Sequence, residues 1–510
     1  MMQPIPWTSA QIEDALEIVP ASSPDRASEL IFTGVSTDSR TLGPQELFVA
    51  LEGDRFNGHT FIADLVDKGV KGFVVSNEFL SSLDQELEER WTAGNCRFFP
   101  VVDTLAALGD LARYQRMRAN VRVVAITGSN GKTSTRKMTG GIFARQFKTL
   151  TTQGNLNNEI GLPLTLLKLS DEHEWAVVEM GMSHPGEIER LARIALPDIG
   201  VITNTAACHL EGLGTVENVA RAKAELLTSL GHNGTAVLNL DDPRFEILAS
   251  AAAANPGITR TICFTADQAK GDRARSEKDR VRAENITTLG QGIGFTLVAG
   301  TGERCEILLS TPARFMVNNA LAASATALAA GIPMEEIGEG LARFTPVAGR
   351  MQLVQGFNNT TIMDDTYNAN PGSVGAALVT LGQSAGKAGC VAVLGDMLEL
   401  GDHSQALHRE IGRAAAEAGV SRLYVHGAMA AQMIDGAVGA GFPREMTLAG
   451  TKEALACAIM ENTAENAWIL VKGSRGMRLE EIVNRLTEFS AEKLGTTKGA
   501  SGPGPLVTKN

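Results

Sequence analysis

The segment VVAITGSNGKTSTRKM, residues 123–138, leaves its stretch of chain little freedom. The apolar run Arg122–Thr127 reads as a buried strand, it meets a glycine at Gly128, and a helix opens at Lys132. Strand, glycine loop and helix in that order aim backbone N–H groups and a helix N-terminus at one point, an anion site suited to a triphosphate. Gly128 and Gly131 let the backbone approach phosphate without a Cβ in the way. Lys132 would reach the β- and γ-phosphates, and the Thr133 hydroxyl would ligate Mg2+. The expected ATP contacts of this loop are therefore Gly128, Ser129, Asn130, Gly131, Lys132, Thr133 and Ser134. The pattern GxxxxGK[ST] is not met, because its first glycine would fall at Ile126. A glycine turn followed by a solvated lysine is the alternative, and the coincidence of strand, GK[ST] and helix argues against it.

At 510 residues the chain is too long for one ordinary core and suggests about three domains. A formal net charge of -12 argues against a general binder of nucleic acid or of acidic membranes, yet permits a local basic pocket for phosphate. The six cysteines lie far apart with no CxxC pair, which fits reduced, buried thiols better than a disulfide or zinc framework. The first basic residue is Arg26, unlike the charged start of a secretory signal, and no apolar run approaches the length of a membrane span. A cytoplasmic protein without membrane insertion is the expectation, and a monomer.

Hydrophobic patterning predicts a small α/β unit over the first hundred residues, with strands such as Leu47–Leu51 and Gly72–Val75. A helix is expected over 104–118. Strand-like runs Ala176–Glu179, Ile199–Thr203 and Val237–Leu240 then alternate with helices, the pattern of a mostly parallel sheet covered by helices. A third unit begins near Pro346, with strands at Thr361–Asp364, Val391–Leu394, Leu423–Val425 and Ile469–Val471 and helices over 404–418 and 477–489. It reads as Rossmann-like but lacks GxGxxG after its first strand, so a dinucleotide is not indicated. The charged stretch 267–285 reads as a surface loop, and the Gly/Pro/Ser/Thr-rich end as disordered.

Three residues downstream of the loop invite a chemical reading. Glu179 ends the strand of AVVEMG, where a carboxylate can hold Mg2+ directly or through water, or merely face solvent. His209 follows the next strand; alone, it reads more often as a structural or hydrogen-bonded histidine, since imidazole is an unusual Mg2+ ligand. Lys223, in VARAKAELL, could equally be a solvated helix lysine.

Taken together the segments resemble the Mur ligase family. The matching stretches are VSTDSR (35–40), LFVALEGDRFNGHTFI (47–62), AITGSNGKTS (125–134), GNLNNEIGLPLTLL (154–167) and VVEMGMSHPGEIE (177–189). They continue through NTAACHLEGLGTVENVARAKAEL (204–226), PVAGRMQ (346–352), MDDTYNANPGS (363–373), LGDMLELG (394–401) and VKGSRGM (471–477). NLNNEIG and DDTYNANPGS point to the branch that adds D-alanyl-D-alanine.

The resemblance implies an α/β fold in three domains: an N-terminal UDP-substrate-binding domain (1–102), a central ATP-binding P-loop domain with a mostly parallel sheet (103–346) and a C-terminal Rossmann-like domain (347–492), with 493–510 as tail. It implies two Mg2+ ions, with Thr133 and Glu179 as metal ligands and His209 joining Glu179 at the second ion. Lys223 matches a lysine that the family carbamylates, which turns a cation into an anionic ligand. Asn319 matches the adenine-side asparagine of an NxxNA motif whose first asparagine is Met316 here, while Arg350 and Asp365 resemble residues that meet the nucleotide. Tyr367 and Asn368 are expected beside that site. Ser39, Arg40, Arg55, Phe56 and Asn57 resemble UDP-contacting segments, and Asn155, Asn157, Asn158, Ser183 and His184 would line the peptide side. The catalytic set is then Lys132, Lys223 and His209, and the implied substrates are UDP-MurNAc-tripeptide and D-alanyl-D-alanine. Rival readings are a sister ligase that adds the third amino acid, a folylpolyglutamate-type ligase, and a P-loop nucleotide switch. The diaminopimelate-adding sister carries a DNPR motif where this chain has LGDMLELG, and a switch leaves the spacing of Glu179, His209 and Lys223 unexplained.

Overall fold

Side chains alternate across a strand, so a run that is apolar throughout must be covered on both faces. The computed structural model describes residues 2–18, 29–53, 56–267, 276–386 and 389–496, and in it Arg122–Thr127 lies within a nine-stranded sheet. Val123 and Ala125 enter one apolar cluster with helix Thr104–Arg118, whereas Val124 and Ile126 enter another with helices Lys132–Phe143 and Phe315–Ala329. The alanine-rich helix Phe315–Ala329 is thus buried and packed on the sheet.

Across the sheet the strands run Thr149–Thr151, Trp175–Glu179, Arg122–Thr127, Ile199–Ile202, Gly234–Asn239, Ile258–Thr265, Arg280–Leu289, Gly292–Ala299 and Arg304–Leu309. All pairings are parallel as far as Arg280–Leu289, and the last two strands return antiparallel. This corrects the surface-loop reading of 267–285 over its last six residues, 280–285. Val281 and Ala283 point into the core, while Arg282 and Glu284 pair on the outer face, Glu284 also holding Arg304. A strand with charges at every second position looks like a polar loop when its short inward residues are overlooked. Residues 268–275 lie outside the described residues.

The C-terminal unit is a six-stranded sheet in the order Gln352–Gln355, Thr361–Asp365, Trp468–Lys472, Cys390–Gly395, Arg422–His426 and Thr447–Ala449, parallel except for the first strand. Helix Pro371–Ala385 opens with a full cap: the Asn370 side chain accepts from the Ser373 N–H, the Ser373 hydroxyl accepts from the Asn370 N–H, and Pro371 occupies the first turn. The last helix is Glu480–Thr496, so residues 493–496 continue it; the rest of the expected tail lies outside the described residues. The N-terminal unit carries a parallel sheet of Gly34–Ser36, Glu46–Val49, Gly72–Ser76 and Arg97–Val101. Arg118, at the end of the first helix of the central unit, lies 4.1 Å over the Trp7 ring and donates to the Ile5 and Pro6 carbonyls, fastening the two units.

In the central and C-terminal sheets, the ends that carry Thr127, Glu179, Asp365 and Lys472 are the carboxyl edges of parallel strands, where such sheets bind ligands. Among the described residues no helix is long and apolar enough to cross a membrane.

Candidate active site

The loop after Arg122–Thr127 is tied down mainly by its backbone. The Ser129 N–H donates to the Asn204 carbonyl, the Asn130 N–H to Asn204 Oδ1, and Thr203 Oγ1 and Asn204 Nδ2 both donate to the Asn130 carbonyl. Gly131 has φ +82, and a Cβ there would meet Asn319 Oδ1 at 2.2 Å; at Gly128 a Cβ would meet Thr203 Oγ1 at 1.9 Å. Both glycines are therefore demanded by the packing as well as by the turn. Helix Lys132–Phe143 starts at this loop, so its first N–H groups have no intrahelical acceptor and face the anion position.

Lys132 Nζ donates to the Gly128 carbonyl at 2.8 Å. Burial pushes its ammonium below the ordinary range, Glu179 and Cys208 pull it back up, and Arg350 adds to the lowering. An incoming triphosphate would favour the charged form by direct attraction. Glu179, 1% exposed, accepts from Thr133 Oγ1 at 2.9 Å and from Asn157 Nδ2 at 2.9 Å, and Arg136 Nε stands 3.5 Å away. Lys132, Arg136 and Arg350 thus gather positive charge around one carboxylate, in a chain whose net charge is -12.

His209 sits at φ +52, immediately before the short helix Leu210–Leu213, and its Nδ1 lies 2.5 Å from Glu399 Oε2 of the C-terminal unit. That contact holds the Glu399 carboxyl below its usual range. Lys223, on helix Val216–Thr228, is 2% exposed; burial pushes it down to about 8, with Cys208 raising it and the nearby Lys132 ammonium lowering it further. It is no solvated surface lysine.

One cavity of about 860 Å³ joins the two units. From the central unit it is lined by Ser129, Asn130, Gly131, Lys132, Ser134, Asn155, Asn157, Asn158, Glu179, Ser183, His209 and Asn319, and from the C-terminal unit by Arg350, Asp365, Tyr367 and Asn368. Gly128 and Thr133 lie in the loop and first helical turn beside it, and Lys223 is buried near Lys132 but does not line the cavity. Arg350 lies 4.0 Å over the Tyr367 ring, with Arg475 at 6.0 Å. Asp365 Oδ2 accepts from Lys472 Nζ at 2.6 Å, and Lys472 also donates to the Asn368 carbonyl.

Other expected residues behave differently. Asn158 Oδ1 accepts from the Gly161 N–H, which gives it a role at the start of helix Gly161–Leu166. His184 is exposed, facing Glu187, and does not line the cavity. Neither do Ser39, Arg40, Phe56 and Asn57 of the N-terminal unit. Arg40 forms an ion pair with Asp38 and holds that carboxyl down to about 2, Phe56 is 54% exposed, and Asn57 Oδ1 accepts from the His59 N–H. Arg55 lies outside the described residues. At the NxxNA departure, Asn319 Nδ2 donates to Met316 Sδ at 3.3 Å, so the methionine keeps contact with its neighbour through sulfur.

Reading the sequence alone missed Arg136, Asn204, Asn370, Glu399 and Lys472. Arg136 stands one helical turn after Lys132, a spacing that could have found it. Asn370 Nδ2 donates to Asn130 Oδ1 at 2.7 Å, linking the cap of a C-terminal helix to the phosphate loop. Glu399 and Lys472 sit in the motifs LGDMLELG and VKGSRGM, but their partners lie far along the chain.

A phosphate loop on the carboxyl edge of one parallel sheet, facing arginine, lysine and aspartate from a second, defines a nucleotide-using α/β enzyme with its site between units. Family models match it in three places: the Mur ligase family catalytic domain over residues 31–116, the Mur ligase middle domain over 126–327, and the Mur ligase glutamate ligase domain over 349–475. The chain is 37% identical over 465 residues to the UDP-N-acetylmuramoyl-tripeptide--D-alanyl-D-alanine ligase of Escherichia coli, covering 91% of this chain and 95% of that one. A crystal structure of MurF from Acinetobacter baumannii superposes with a TM-score of 0.82 at 31% identity, over 95% of this chain and 100% of that one. The MurF ligase of Thermotoga maritima, solved in complex with ADP, shares the fold at a TM-score of 0.76 and 24% identity, over 90% of this chain and 98% of that one. The chain belongs to the Mur ligase family and has its three-domain α/β fold.

Proposed function

We propose that this ligase uses ATP to join D-alanyl-D-alanine to UDP-N-acetylmuramoyl-tripeptide, giving the UDP-MurNAc-pentapeptide of peptidoglycan synthesis, ADP and phosphate. The observation that carries the reading is the single cavity shared by Lys132, Glu179 and His209 on one side and Arg350, Asp365 and Tyr367 on the other. The identity of the substrates rests on the named relatives. The domain limits that go with it are 1–102, 103–346 and 347–492.

A carboxylate does not acylate an amine at neutral pH, because its oxygen is a poor leaving group. A carboxylate oxygen attacks the γ-phosphorus, the bond to ADP breaks, and the resulting acyl phosphate carries a good leaving group. The dipeptide amine then adds to the acyl carbon, the tetrahedral adduct expels phosphate, and the nitrogen gives up a proton. For the first step the protein need only align the partners and neutralise the phosphoryl oxygens. Lys132, the helix N-terminus and Arg350 do this from two sides, and Arg136 offsets Glu179. A site closed between units keeps water from the acyl phosphate.

The residues fit Mg2+. The Thr133 hydroxyl and the Glu179 carboxylate are hard oxygen donors 2.9 Å apart. Among the described residues no group of three acids, histidines or cysteines forms a metal cage, which suits an ion that takes its remaining ligands from phosphate and water. Bound there, Mg2+ supplies charge to the phosphoryl oxygens. A second ion would be held by His209, Glu179 and a carbamylated Lys223; a lysine buried and pushed down to about 8 offers the neutral amine that reacts with CO2.

The test is phosphate release with each combination of UDP-muramoyl tripeptide and D-alanyl-D-alanine. Release that needs both is expected. Release with a free amino acid in place of the dipeptide favours a sister ligase, and release with neither substrate favours a nucleotide switch.

A further inference from the structure

The Mur ligase reading assigns no role to Glu399, in the loop of LGDMLELG. This residue and His209 face each other across the boundary between the central and C-terminal units, and both hold left-handed backbones, at φ +62 and +52. Neither is glycine, so each conformation costs energy that its surroundings must supply, a pattern that clusters at functional sites. Two contacts supply it. His209 Nδ1 lies 2.5 Å from Glu399 Oε2, and the Glu211 N–H donates to the Glu399 carbonyl at 3.3 Å. His209 Nε2 makes no hydrogen bond to any described residue, and both side chains line the cavity.

A neutral imidazole carries one proton, and the partner of one nitrogen decides which nitrogen keeps it. A carboxylate only accepts, so beside Glu399 a neutral ring keeps its proton on Nδ1 and presents the lone pair at Nε2. In water the balance of a histidine side chain leans the other way, toward Nε2–H. We propose that Glu399 is a positioning residue that makes docking of the C-terminal unit the step that prepares His209: only when the LGDMLELG loop reaches the loop after Ile199–Ile202 is the Nε2 lone pair aimed into the cavity to meet a cation. Closure and readiness of the site then become one event, so ATP is not committed while the site is open to water. The carboxylate–histidine pair is the outer-shell device that orients imidazole ligands in metal sites generally. The inference rests on the proposed ligase reading for its consequence in turnover, but not for its geometry.

The experiment is 15N NMR of the full-length protein labelled at histidine, without metal or substrate, with His209→Asn identifying the signal. The wild type is expected to show His209 as the Nδ1–H tautomer. Glu399→Ala should move it to Nε2–H, enlarge the radius of gyration in small-angle scattering, and lower kcat about 10- to 100-fold with KM for the UDP substrate unchanged. Glu399→Gln keeps an oxygen acceptor, so it should keep the tautomer and most of the turnover. The Glu399 side chain is 57% exposed, so neither change threatens folding. A Glu399→Ala protein that retains Nδ1–H, or one that opens without changing tautomer, overturns the proposal. Because the spectrum is read without substrates, that failure is distinct from a failure of the phosphate-release assay.

Discussion

The phosphate loop and the 35–57 region of the N-terminal unit were both expected to bind substrate, and the structure treats them differently. The loop is held by backbone atoms: Ser129, Asn130 and Gly131 could hardly sit elsewhere once Asn204, Thr203 and Asn319 are in place. In the N-terminal segment the expected contacts are side chains on turns. Arg40 is 84% exposed at its side chain and occupied with Asp38, and none of the four described residues reaches the cavity around Lys132. A site built from main chain is complete before its ligand arrives. A site built from exposed side chains acquires its geometry with the ligand, so the two should respond very differently to substitution.

The largest effect should come from the loop. Lys132→Ala is expected to lower ADP release by about 10³-fold or more while leaving binding of the UDP substrate, read by calorimetry, nearly unchanged. Normal turnover would remove the loop from the mechanism and erase the contrast.

Lys223 comes next, as a buried side chain without a local backbone reason. Lys223→Ala should lose about 100-fold in turnover, and formate or acetate should restore part of it; full activity without rescue retires the carbamate. Stability provides an independent reading in CO2-free buffer. With a folded-state value of about 8 against the ordinary 10.5, the folded protein has released a proton that the unfolded chain still binds between those limits. Wild-type stability should therefore rise from pH 8 to 10.5 relative to Lys223→Met, by about 3 kcal/mol. Parallel urea curves at the two pH values would mean the ammonium is not desolvated.

The smallest effect belongs to the N-terminal unit. Arg40→Ala should raise KM for the UDP substrate about tenfold with kcat held, because the residue would bind ground state and transition state alike. A fall in kcat at unchanged KM would place Arg40 nearer the chemistry than the structure has it.

How much could be read beforehand follows the same division. The strands at 122–127, 175–179 and 468–472 were legible because continuous apolar runs admit few alternatives. The strand at 280–289 was not, since its inward residues are short and its charges catch the eye. Helix Glu480–Thr496 starts later than expected because a short turn at Arg475–Met477 precedes it.

By itself the sequence determined the phosphate loop, the strands and helices that flank it, and the family, for these depend on neighbours within a turn or a strand. Only the tertiary structure decided that Asn130 meets Asn370, that His209 meets Glu399 and that Asp365 meets Lys472, pairs 240, 190 and 107 residues apart. Local periodicity holds no information on such distances; they are set when whole sheets dock and bury their shared apolar surface.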